Sequence, residues 1–204
     1  MPLPLTREQV GKASTWLLLN FGPEIRKAVE GKPYDVAIAC AIACKETGPM
    51  WVSRIDKHKP AEILALQVGD ASGDFPNTSR KAFPRNTAAF RSRYGDEFTE
   101  MLIGEANKAR TVRGFSPAKW VYKGYGLFQY DLQNVEKDEE FFRKKLWYNM
   151  DSCLERFTLI LDSKFKAAGN DEREGVRRYN GAGASAEEYA DHVMTFVGWC
   201  RGTM

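Results

Sequence analysis

"DVAIACAIACKETGPMW", residues 35–51, carries ten largely apolar residues, Val36 to Lys45, and then a glutamate. Alanine, isoleucine and cysteine fill every position from 37 to 44, so a helix built from them has no polar face. Such a helix belongs in the middle of a domain. Glu46 follows just before Gly48, in what reads as the last turn. There the negative end of the helix dipole and partial burial both disfavour the ionised carboxylate. Both effects raise a carboxyl pKa, which a general acid needs near neutral pH. A solvated glutamate at a helix end fits the same letters, so the rest of the chain has to decide.

The chain has 204 residues, 43% of them apolar and 12% aromatic, enough to bury a sizeable core in one domain. Thirty basic residues stand against 27 acidic ones, a net charge of +3. That is too weak to argue for nucleic acid, though it allows a mildly acidic polymer as partner. The opening "MPLPLTREQVGKASTWLLLNFG" lacks the basic region and sustained apolar core of an export signal. No segment approaches the roughly 18 apolar residues of a membrane helix. The expectation is a monomer without a membrane span, made in the cytoplasm and reaching any wall or periplasmic site by an unidentified route. Cys40, Cys44, Cys153 and Cys200 form no CxxC pair and no grouping with His58 or His192. They read as buried thiols, and no metal or other cofactor is expected.

Helical grammar dominates. "TREQ" from Thr6 is a capping box before a helix through "VGKASTWLLLN". From Asp151, Leu154, Phe157, Leu161 and Phe165 share one face, and Gly169 closes that helix. "SAEE" from Ser185 reads as a second capping box, with Tyr189, Val193 and Phe196 on the inner face behind it. Residues 52–120 differ. A short helix near Pro60–Val68 and a longer one near Asp96–Ala109 flank the loop-like "GDASGDFPNTSRKAFPRNTAAF", and long ordered loops are uncommon unless they shape a binding surface. "WVYKGYGLFQYDLQ" then reads as a small hairpin.

Two further stretches carry chemistry. In "GYGLFQYD", Gly124 and Gly126 let the backbone bend or lie close to a ligand. Gln129 offers an amide to sugar hydroxyls and acetamido groups, Tyr130 a flat face and Asp131 a second carboxylate. In "RRYNGAGASAEEYADHV", a turn explains the glycines but not Tyr179 and Asn180 before them. Trp51, Trp120, Trp147 and Tyr148 have faces fit for sugars, but aromatics in a helical protein are mostly core, and none is assigned.

"ACKETG", "GYGLFQYD" and "RYNGAG", in this order, resemble three motifs of the lysozyme-like superfamily, especially lytic transglycosylases and goose-type lysozymes. The resemblance covers residues 35–197. It implies a mainly α, lysozyme-like α+β fold with a small β-hairpin. Residues 1–204 would form one such domain, with the insertion 52–120 forming part of the cleft lobe. It implies Glu46 as catalytic acid, Gly126, Gln129, Tyr130 and Asn180 along the sugar, and Tyr179 orienting the acid. The partner would be peptidoglycan or a related N-acetylated glycan, cut at the β-1,4 bond between N-acetylmuramic acid and N-acetylglucosamine. The 52–120 insertion and Phe128 in place of the usual methionine depart from the pattern.

An inverting hydrolase needs a base carboxylate about 6.5–9.5 Å from the acid. A lytic transglycosylase, as the resemblance implies, closes an anhydro ring without one. Asp131 is the first candidate base, with Asp70 and Asp74 behind it, although either of those two fits a turn role. The balance favours a hydrolase slightly. A rival from another class is a non-catalytic glycan-binding or interaction protein on the same fold.

Overall fold

The structure is a computed structural model that describes residues 2–71 and 73–203. It is mainly helical, with 66% of residues in helices and one small antiparallel sheet. The chain divides into two compact units, Met1–Lys57 with Cys153–Met204, and His58–Ser152. Among the described residues, no helix is long and apolar enough to cross a membrane.

The first unit is built around the helix that residues 35–51 foretell. Helix α1 (Arg7–Val29) and helix α2 (Val36–Trp51) are followed by α6 (Met150–Ala167), α7 (Glu172–Asn180) and α8 (Ala184–Arg201). Ala37 to Cys44 are each at most 2% exposed, and α1 and α8 both pack on α2. An all-apolar helix has to be wrapped from several sides, and its alanines let the wrapping helices approach closely. Asp35 caps α2 by accepting from the Ile38 amide at 3.0 Å, and its other oxygen receives Arg201 of α8 at 2.9 Å. The Thr6–Gln9 capping box starts α1 as expected, and a kink at Phe21, before Gly22-Pro23, divides it. Leu154, Phe157, Leu161 and Phe165 form the buried face of α6, and all four cysteines are buried and unbridged.

Two expectations for this unit need correction. Helix α2 does not stop at Gly48; it runs on to Trp51. Gly48 is buried inside it, because a Cβ there would lie 2.6 Å from Leu5 Cδ1. The glycine answers to packing, and Glu46 lies more than a turn from the helix end. Ser185 is not a cap either. Helix α8 begins one residue earlier, behind Gly183 at φ 83°, with no side-chain cap.

The second unit holds α3 (Pro60–Ala65), β1 (Val68–Gly69), α4 (Thr87–Val112), β2 (Gly124–Tyr125), β3 (Tyr130–Asp131) and α5 (Glu139–Arg143). The expected hairpin is β2–β3, with Tyr125 opposite Tyr130. The sequence did not signal that β1 pairs antiparallel with β2 and completes a three-stranded sheet. Helix α4 starts at Thr87, capped by Asn86, and not at Asp96. Gly95, at φ 81°, kinks it, so the Asp96 start matches only its second segment. Tyr125, Phe141, Phe142 and Trp147 form an aromatic core beneath the sheet, the last three with no exposed surface.

Candidate active site

In the first unit, Glu46 emerges half-buried from the apolar helix. Tyr189 of α8 donates its hydroxyl to Glu46 Oε1 at 2.6 Å. Tyr189 is 5% exposed, and burial, then the charge of Glu46, raises its pKa, so it stays a phenol. Tyr179 of α7 has its pKa raised as well, first by burial and then by the charge of Glu46. The T-shaped contact of Tyr179 with Phe157 of α6 sets the ring plane. Asn180 is exposed at the end of α7.

Lys45 adds a cation to this group. Its Nζ lies 3.0 Å from Nδ1 of buried His192 and 5.8 Å from the centre of the Tyr189 ring. Burial lowers its pKa, and the charges of Glu46 and Glu188 work against that. A lysine ammonium only donates, so Nδ1 accepts and the His192 proton sits on Nε2. Nε2 lies 3.8 Å from Glu188 Oε1. The result is a carboxyl gripped by a phenol, next to a lysine held on a histidine. Lys45, Tyr189 and His192 were not read as site residues. Helical spacing placed Tyr189 in the core, which is correct for its ring but silent about its hydroxyl.

The remaining predicted residues belong to the second unit. Gln129 sits at φ 51° and folds its amide back, donating Nε2 to the Gly126 carbonyl at 2.9 Å. A Cβ on Gly124 would lie 2.2 Å from Gln129 Oε1, so Gly124 is bare to admit that amide. Gly126 turns the chain at φ 80°. Tyr130 stacks on Phe142 at 5.8 Å. Asp131 forms a two-armed ion pair with Arg80 and accepts from the Gln133 amide at 2.7 Å. Asp74 takes the Thr87 amide and hydroxyl, both at 2.9 Å on Oδ2. Asp70 is bridged to Lys123 at 2.6 Å. Trp51 and Trp147 are buried, and Tyr148 is bonded to Glu105. Of the four aromatics considered, Trp120 and Tyr148 are partly exposed.

Among the described residues no three His, Cys, Asp or Glu side chains are grouped to hold a metal ion. Comparison with protein-family models, curated proteins and solved structures gives no match.

Proposed function

We propose that the protein is a glycan-cleaving enzyme acting on the β-1,4 bond between N-acetylmuramic acid and N-acetylglucosamine in peptidoglycan, with Glu46 as general acid. One observation carries the reading: a phenol grips one oxygen of a carboxyl rooted in an all-apolar helix. With Oε1 occupied by the Tyr189 proton, the acidic proton of Glu46 belongs on Oε2. Glu46 delivers that proton to the glycosidic oxygen as an oxocarbenium-like state develops on the sugar. Once it has left, the Tyr189 hydroxyl and the Lys45 ammonium stabilise the new carboxylate more than they stabilised the acid. That difference lowers the barrier. Positioned acids of this kind contribute roughly 10²–10⁴-fold in rate.

The aspartates bear on the second half of the reaction. Asp131, Asp74 and Asp70 are each engaged by a partner of their own in the second unit. Their engagement supports the route that needs no base carboxylate, in which the muramic sugar closes an anhydro ring.

Isolated peptidoglycan incubated with the protein and with Glu46→Gln, followed by mass spectrometry of the soluble products, tests both steps. Anhydro-muramic ends that vanish in the variant are expected. Reducing muramic ends would restore hydrolysis and send the search for a base to Asp131. No product from several wall types would leave the non-catalytic glycan binder.

A further inference from the structure

Five large apolar side chains are well exposed among the described residues, and two of them flank one tryptophan. Phe75 is 56% exposed and meets the Trp120 ring edge-on at 6.0 Å. Phe115 is 57% exposed. Between Phe115 and Trp120 lies the Arg110 guanidinium, 5.6 Å from one ring centre and 5.7 Å from the other. Arg110 donates Nε to the Ser116 carbonyl and Nη1 to the Tyr122 hydroxyl, both at 2.6 Å. Two hydrogen bonds and two rings fix its orientation, while no carboxylate pairs with it among the described residues. An oriented cation without a counter-ion, set between aromatic faces, is a preorganised anion site with stacking surface on both sides.

The surrounding sequence supports the same sign of ligand. Residues 75–95 and 106–130 each contain five basic residues and no acidic one. Yet Arg80, Arg91, Arg93, Lys108 and Lys123 are already bridged to carboxylates. The charge left over is sparse, unlike the continuous cationic track that a phosphate backbone needs. It suits a chain with widely spaced carboxylates and apolar sugar faces.

We propose that Phe75, Trp120, Arg110 and Phe115 form a binding subsite for an acidic glycan. The sugars stack on the rings and a carboxylate takes the free edge of Arg110. The choice of a glycan rests on the function proposed above; the anion site does not.

The Glu46→Gln protein, which leaves the probe intact, is titrated calorimetrically with oligosaccharides of N-acetylglucosamine alone and with N-acetylmuramic acid-containing oligomers. Adding Arg110→Gln should weaken binding of the acidic oligomer about tenfold and leave the neutral one unchanged. Phe75→Ala with Phe115→Ala should weaken both. Arg110→Lys should recover part of the loss, which a folding defect would not allow. Equal binding by all variants would overturn the subsite, as would tighter binding of single-stranded DNA than of the acidic oligomer. Cleavage by the wild-type protein is measured separately: loss of that activity reading with retained Arg110-dependent binding would sink the enzyme and keep the subsite.

Discussion

Two helices of this protein each carry a carboxylate into apolar surroundings, and the two are treated in opposite ways. Glu105 of α4 is 2% exposed and fully answered: Lys108 and Lys145 reach Oε1 at 2.8 and 2.7 Å, and Tyr148 donates to Oε2. Burial alone would raise its pKa, but the three hydrogen bonds outweigh burial and hold it below the ordinary 4.5. Glu46 of α2 is only partly buried, with Tyr189 donating to Oε1 and Lys45 against His192. A carboxylate buried among two lysines and a tyrosine is held as an anion and serves the fold. One with a fixed rotamer and access to solvent keeps the capacity to exchange a proton. The difference separates a structural ion cluster from a candidate acid, though both sit on helices and both touch a tyrosine.

The largest effect expected from this contrast is in activity. Glu46→Gln should lower glycan cleavage by about 10²–10⁴-fold, equivalent to roughly 3–5 kcal/mol of transition-state stabilisation, with the melting temperature nearly unchanged. Turnover on labelled peptidoglycan beside a thermal melt reads both quantities. A melt that falls while activity persists would move Glu46 into the same class as Glu105.

Glu105→Ala reverses the pattern. It leaves Tyr148 and Lys145 without the anion that holds them, and should destabilise the protein by about 2–3 kcal/mol, less than for a fully buried pair because both lysines reach water. Denaturant unfolding gives the loss, and activity per folded molecule should be retained.

How far was this contrast legible in the letters? The apolar helix was, because no face of residues 37–44 is polar and only burial satisfies such a segment. Its end was not. Gly48-Pro49 carries the usual stop signal, but Leu5 packs on the glycine and the helix continues to Trp51. The hairpin was visible in its glycines, whereas β1 was not, since a two-residue strand has no period to detect. Of the polar groups of the candidate site, Glu46 was singled out by its place on the apolar helix and Tyr179 by motif resemblance. Tyr189 and His192 lie 143 and 146 positions away from Glu46 on a helix read for its apolar face, and sequence spacing cannot report where a hydroxyl or ring nitrogen points. Glu105 drew no notice for the same reason: its partners, Lys145 and Tyr148, meet it only in the fold.

Tyr189→Phe sharpens the comparison on the Glu46 side. It removes one hydroxyl and leaves the buried ring, so stability should shift by no more than about 1 kcal/mol. If the bond orients the acid and stabilises its conjugate base, kcat should fall about tenfold with KM unchanged. A rise in KM alone would assign the tyrosine to substrate binding. No change in either would leave Glu46 without a positioning partner at this oxygen.

The smallest expected effect is in acid, and it belongs to Glu105. Its folded-state pKa lies below the ordinary 4.5 of an unfolded glutamate. A group shifted in that direction contributes its full stabilisation above the unfolded value and loses it as pH falls through the folded one. Stability of the wild type relative to Glu105→Gln should therefore be constant from neutral pH to about pH 5 and shrink below it. Parallel urea titrations between pH 7 and pH 3 read the difference directly. If the gap between the two proteins stays level down to pH 3, the lysines are not holding the anion, and Glu105 differs from Glu46 in burial alone. If it closes in that window, the two lysines and Tyr148 are what fix Glu105 as an anion at neutral pH.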